Sequence, residues 1–190
     1  MPSPLRSPSG RPPVARVAAA WLGLVVSAAI GCGGGGTAAA PRAPAGPTLA
    51  AVEAARDLDG AVVGPTPEGV TATVAVVFAS WCTHCREELP VLAALVAARP
   101  DVRVLGVNYR AHEEYDGRGD AAAVRALVAT EAPWLRVVPA DDAVWASLGR
   151  PPKIPTVYVF DRRGAHLRTF DRRSEAVPDL AALLAALPPP

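Results

Sequence analysis

Beyond residue 48 the hydrophobic positions of this chain fall into short apolar runs alternating with helical stripes. Residues 74–78 (VAVVF) form a β-branched run with no polar position, the pattern of a strand buried on both faces. Residues 87–98 carry Leu89, Leu92, Ala93 and Val96 at helical spacing and are stopped by Arg99-Pro100, with Pro90 expected to bend the helix. Residues 102–107 (VRVLGV) predict a second strand. Asp120 is placed to N-cap a helix with Val124, Leu127 and Val128 on one face, ended by Pro133. Val137-Val138 predicts a short strand and residues 143–148 a short helix. Residues 156–160 (TVYVF) predict another strand, and Asp161-Arg162-Arg163-Gly164 turns the chain into residues 166–170 as a hairpin. A last helix begins near Pro178, with Leu180, Leu183, Leu184 and Leu187 on one face. Strands alternating with helices imply an α/β domain over residues 49–190, and the closing hairpin makes its central sheet mixed. Trp134 and Trp145 are expected in the core. No internal repeat is visible.

The first 48 residues follow neither period. Arg6, Arg11 and Arg16 precede an uncharged apolar stretch from residue 17 to residue 31 (VAAAWLGLVVSAAIG). A bilayer-spanning helix needs about 20 apolar residues, whereas the apolar core of an export signal needs about 7–15, so residues 1–32 read as a signal peptide. The stretch ends at Ala29-Ile30-Gly31-Cys32, which resembles a bacterial lipoprotein cleavage box, although Ala29 stands where that box usually has Leu. The resemblance implies that Cys32 becomes the lipidated first residue of the mature protein. An ordinary signal peptide, or an uncleaved anchor with an incidental Cys, is the plainer alternative. Residues 33–48 are dense in Gly, Ala and Pro and bury too little to offset their ordering entropy, so they read as a flexible tether.

Composition narrows the function. With 19 Lys+Arg against 18 Asp+Glu, the 190-residue chain has a net charge near +1, which argues against a nucleic-acid binder. Three Cys are too few for a disulfide scaffold or a four-Cys zinc site. An odd Cys in an exported protein asks for an explanation, and acylation of Cys32 supplies one while leaving Cys82 and Cys85 as a pair.

That pair carries the chemistry. Trp81-Cys82-Thr83-His84-Cys85 follows the apolar strand and opens the next helix. Two Cys at i and i+3 in a first helical turn lie close enough for a disulfide. Cys82 sits where unpaired backbone N–H groups and the positive end of the helix dipole stabilise a thiolate. Such placement brings a Cys pKa from about 8.5 into the range of roughly 3.5–7.5. Cys82 is therefore expected to attack disulfides, and the more buried Cys85 to resolve the mixed disulfide. A structural disulfide, or half a copper or zinc site shared with His84, is the plainer reading of the same residues.

Residues 78–90 (FASWCTHCREELP) look like the active-site signature of thioredoxin-like proteins, and Lys153-Ile154-Pro155-Thr156 looks like their cis-proline loop. With the lipoprotein-type leader, a Glu three residues after the second Cys and the loop from Asn108 onward, the chain resembles the TlpA/ResA-like membrane-anchored thiol–disulfide oxidoreductases over roughly residues 49–187. The resemblance implies a thioredoxin-like fold with Cys82 and Cys85 as the redox disulfide, Trp81 flanking it, and Pro155 presenting backbone to an extended substrate. Glu88 is then the acid near the site, one turn beyond Cys85 and able to exchange protons with it; a plain solvated Glu is the rival reading. Val76 departs from the pattern, since cytoplasmic thioredoxins have a buried Asp there. His84 favours the reduced protein, as in the oxidising branches of the superfamily, whereas Ile154 is typical of the reducing ones.

The resemblance also implies an extracytoplasmic, membrane-anchored monomer that reduces disulfides of exported proteins, for instance apocytochrome c. Its electrons would come from a membrane thiol reductase, because the chain has no nucleotide fingerprint of its own, and no cofactor or metal is expected. A disulfide oxidase or isomerase of the same fold, and a non-enzymatic copper-binding module, remain the alternatives. The charge-rich loop 109–120, with His112, Glu113, Glu114 and Asp116, reads as solvated rather than as a metal or partner site. The arginines between Arg162 and Arg173 read as an exposed hairpin.

Overall fold

Strand β1 (Ala72–Phe78) lies at the centre of a five-stranded sheet, and every one of its residues is buried. A computed structural model describes residues 46–171 and 178–190. The signal peptide, Cys32, nearly all of the tether, and Arg172 and Arg173 lie outside the described residues. Before β1 come helix α1 (Ala50–Ala54) and an arm whose residues Arg56 and Val62 bridge to each other. After β1 come α2 (Thr83–Ala98), β2 (Val102–Tyr109), α3 (Arg110–Glu113), a 3-10 turn (Tyr115–Gly117) and α4 (Ala121–Glu131). The chain closes with β3 (Arg136–Ala140), α5 (Asp142–Ser147), β4 (Thr156–Asp161), β5 (His166–Asp171) and α6 (Leu180–Ala186).

The strand order is β3-β2-β1-β4-β5, with β1, β2 and β3 parallel and β4 and β5 antiparallel to their neighbours. The expected mixed α/β sheet is therefore present. Because side chains alternate across a strand, β1 feeds two cores. Val74, Val76 and Phe78 face one layer with Leu89, Leu92 and Leu95 of α2, Val124 of α4 and Leu183 of α6. Ala75 and Val77 face the other, with Leu49, Val52, Trp145, Leu148, Tyr158 and Phe160. Val76, where the thioredoxin pattern would place an acid, is thus an ordinary core residue facing the layer that holds both cysteines.

The helices keep the expected signals with shifted edges. Asp120 and Asp179 cap α4 and α6 through their carboxylates, accepting from Ala123 N at 2.8 Å and Ala182 N at 2.7 Å. Helix α2 starts earlier than its apolar stripe, at Thr83, runs on through Pro90, and buries Leu95 more deeply than Val96. Trp145 is core, as expected, whereas Trp134 packs only partly buried at the edge of the layer. The β4–β5 hairpin leaves Arg162, Arg163 and Arg168 exposed. Among the described residues no helix is long and apolar enough to cross a membrane.

Candidate active site

The chain leaves β1 at Phe78, crosses residues 79–81, and begins α2 with Cys82 as its N-cap. Cys82 has extended backbone (φ −80°, ψ 108°), and its Sγ accepts the Cys85 N–H at 3.3 Å. A thiol occupies the position where Ser, Asp or Asn usually satisfies an orphan helix amide. Both cysteines are thiols in this structure, and Cys85 (2% exposed) is more deeply buried than Cys82 (7%).

The two thiols are driven in opposite directions. A hydrogen bond from the Cys85 thiol, opposed by burial and helped by the Cys85 amide and the His84 charge, brings the Cys82 pKa down to about 6. Burial pushes the Cys85 thiol far up, reinforced by its neighbour Cys82 and by the negative charge of Glu88. One negative charge on the pair is therefore favoured, on the outer sulfur. His84 itself is exposed and sits 3.0 Å from Glu87.

Glu88 is 3% exposed and shares the buried face of α2 with Cys85, Leu89 and Leu92. Its reading as a solvated Glu is overturned, because a residue three positions after Cys85 returns to the same inward face. The Ile154–Pro155 bond is cis, and Pro155 is buried. Ile154 packs against the core layer that contains both cysteines. Trp81, His112, Tyr115, Pro152, Lys153 and Ile154 line a shallow groove of about 310 Å³ beside the pair.

The loop after β2 is the main correction. Glu113 is not a solvated charge but 2% exposed, and its carboxylate points back at the strand-to-helix crossing. It accepts the Ser80 N–H at 2.8 Å, the Ser80 hydroxyl, and Asn108 Nδ2 at 2.7 Å. Asn108 ends β2 opposite Phe78 and also donates to the Phe78 carbonyl at 3.2 Å. The Trp81 indole donates to the carbonyls of His112 (3.1 Å) and Glu113 (2.9 Å), and the Arg118 guanidinium lies 4.9 Å from the Trp81 ring. Gly119 closes over the Glu113 carboxylate so tightly that a Cβ there would run into it. The ring of His112 packs on Trp145 at 4.7 Å, and Tyr109 stacks on Trp145 at 4.4 Å, which anchors the loop from behind. Only Glu114 and Asp116 remain exposed as expected, with Glu114 paired to Arg110 at 2.8 Å. Ser80, Asn108, Glu113, Arg118 and Gly119 carried no signal as a set in the sequence. The one available hint was a polar Asn at the buried end of a central strand, followed by acids.

No family model matches the chain, and no curated protein sequence matches it. Solved structures do resemble it. A secreted disulfide oxidoreductase of Mycobacterium tuberculosis homologous to E. coli DsbE is 23% identical, with a TM-score of 0.55 over 70% of this chain and 91% of that one. A thioredoxin-like protein from Aeropyrum pernix is 16% identical, with a TM-score of 0.57 over 73% and 91%. The exposed lipoprotein thioredoxin Etrx1 of Streptococcus pneumoniae is 19% identical, with a TM-score of 0.56 over 69% and 93%. The five-stranded mixed sheet flanked by helices matches these structures: the chain has the thioredoxin-like fold.

Proposed function

We propose that this protein is an extracytoplasmic thiol–disulfide oxidoreductase that reduces disulfides of exported proteins through Cys82 and Cys85. The observation that carries this reading is the split between the two thiols: Cys82 held as a thiolate near neutral pH at the helix N-cap, and Cys85 held protonated behind it. A structural disulfide has no use for that polarity, whereas attack on a disulfide requires a thiolate with an accessible side.

In the reductive direction the Cys82 thiolate attacks one sulfur of the substrate disulfide, forming a mixed disulfide and releasing the other substrate sulfur as a thiolate. Cys85 then gives up its proton and attacks Cys82 Sγ, which breaks the mixed disulfide and frees the second substrate sulfur. Two electrons pass to the substrate, and the protein is left as the Cys82–Cys85 disulfide. The deep burial of Cys85 makes its deprotonation the demanding step, and Glu88, on the same buried face, is the group proposed to take the proton. Pro155 is proposed to present the substrate strand, as the resemblance in its loop implies. Tethering by a lipid at Cys32, re-reduction by a membrane thiol reductase and action on apocytochrome c belong to the same proposal. The tether is supported by the leader pattern and by the lipoprotein named in the pneumococcal structure, while the reductase and the substrate follow from the TlpA/ResA-like resemblance.

His84 favours a second reading, an oxidase, because its charge helps lower the Cys82 pKa and so stabilises the dithiol. The test is the reduction potential of the full chain, equilibrated in thiol redox buffers. A value near −270 mV, the thioredoxin end of the range, supports the reductase; one near −120 mV reverses the direction. Failure to form the disulfide at all removes the enzyme reading and leaves thiol ligation of a soft metal such as copper. A Cys85→Ser variant adds a trap: the enzyme accumulates mixed disulfides with its partners, and a metal site does not.

A further inference from the structure

Nothing in the local Trp-Cys-Thr-His-Cys motif fixes how the chain crosses from β1 into α2, yet the Cys82 sulfur reaches the Cys85 amide only if that crossing is held in one geometry. The hydrogen-bond pattern shows what holds it. Cys82 N donates to the Ala79 carbonyl at 3.1 Å, which closes the turn from within. Among the described residues, every other polar hold on residues 80 and 81 comes from the loop after β2, more than 30 positions away. Ser80 N–H and its hydroxyl both donate to Glu113, and the Trp81 indole donates to the backbone of residues 112 and 113.

We propose that Glu113 is a positioning residue for the attacking thiol: its buried carboxylate locks Ser80 beside the Trp81 indole, which the backbone carbonyls of residues 112 and 113 hold, and so fixes the cap geometry at Cys82. This rests on the reading of Cys82 as the attacking group. The carboxylate suits the task because it is acceptor-only, with lone pairs for all three donors that converge on it from Ser80 and Asn108. Its hydrogen-bond partners are neutral dipoles, so its charge is spent on holding backbone rather than on a salt bridge. An amide in its place has one acceptor oxygen and presents N–H groups to donors, which leaves a buried donor unmatched. Gly119 completes the device, since any larger residue would push the carboxylate out of reach of Ser80.

The experiment follows alkylation of the fully reduced full-length chain by iodoacetamide from pH 5 to pH 9, with the modified cysteine identified by peptide mass. The variants are Glu113→Gln, Ser80→Ala and, as a control in the same loop, Arg110→Ala, whose side chain pairs with exposed Glu114. Glu113→Gln is expected to remain folded by circular dichroism, to move the midpoint of Cys82 alkylation up by about one pH unit, and to slow the reaction at pH 6 about five-fold. Ser80→Ala is expected to shift the midpoint in the same direction by less, the double variant no further than Glu113→Gln alone, and Arg110→Ala not at all. A folded Glu113→Gln with the wild-type pH profile overturns the proposal. Should Glu113→Gln fail to fold, an unshifted profile in Ser80→Ala overturns it equally. If Cys82 in the unaltered protein is not the faster-reacting thiol, the failure is instead that of the attacking-thiol reading, and the two are told apart by that single measurement.

Discussion

Replacing Cys85 with Ala should raise the pKa of Cys82, and replacing it with Ser should not. The largest influence lowering the Cys82 pKa to about 6 is the hydrogen bond from the Cys85 side chain, ahead of the backbone amide and the His84 charge. A hydrogen bond to a charged group contributes about 1.5–3 kcal/mol, and one pKa unit corresponds to about 1.4 kcal/mol. Losing the Cys85 donor should therefore cost the thiolate about one to two units, placing Cys82 near pH 7–8. At pH 7 the thiolate fraction falls from about nine-tenths to between one-tenth and one-half, since each unit is a factor of ten in the ratio. Ser keeps an O–H donor at the same position. The assay is thiolate absorbance at 240 nm against pH, checked by the bimolecular rate of iodoacetamide labelling in the same variants. If Cys85→Ala keeps a midpoint near pH 6, the thiolate is held by the helix amides and His84 alone, and the polarity assigned to the pair is wrong.

Three further outcomes follow from the same geometry. With Cys82 ionising near pH 6 and Cys85 held protonated, the reduction potential should fall by about 59 mV per pH unit below pH 6 and about 30 mV above it; a constant slope through pH 5–8 contradicts the low pKa. The sign agrees with linkage: a thiol whose pKa is lowered on folding adds stability to the reduced protein that is fully present above the unfolded-state value and lost as the pH drops through about 6. Glu88→Gln should prolong the mixed disulfide with a model substrate by roughly 100-fold while leaving Cys82 alkylation at pH 7 within about two-fold, read by stopped-flow and mass spectrometry. Gly106→Ala should destabilise the domain by about 1–3 kcal/mol in chemical denaturation. A Cβ at that position would stand 2.9 Å from Phe78 Cε1 and 3.0 Å from Val137 Cγ2, both in the packed layer under the site.

The parts of this molecule that were legible in the sequence are those whose signals are local. Residues 74–78 carry their own evidence of double-sided burial, Asp120 announces the start of α4, and Trp81-Cys82-Thr83-His84-Cys85 at a strand-to-helix junction announces its chemistry. The cis-proline loop was equally plain. Glu88 was half legible: its spacing from Cys85 placed it on the right face, but only packing of α2 against the sheet decides whether that face is dry. Glu113 was misread because solvation of a charged loop is a tertiary property. Four of five residues in a segment such as His112-Glu113-Glu114-Tyr115-Asp116 can look alike in sequence, yet one of them is matched by donors from Ser80 and Asn108 and the others are not. The short α1 and α3 helices were missed for a related reason, since helices of five and four residues are held by their neighbours rather than by their own propensity.

The dithiol hangs from the strand with neighbours on both sides. Sheets open most cheaply at their borders, and here the borders are β3 and β5, each one strand removed from β1. Fluctuations that peel away either border leave α2 seated on Val74, Val76 and Phe78, with Cys85 still covered. To bare the inner sulfur, α2 itself must lift from β1, giving up the packing of Leu89, Leu92 and Leu95 on Val74, Val76 and Phe78. An oxidant that reaches Cys82 at the surface therefore meets the inner thiol behind the packing of α2 on the sheet, so oxidation beyond the disulfide should fall first on Cys82.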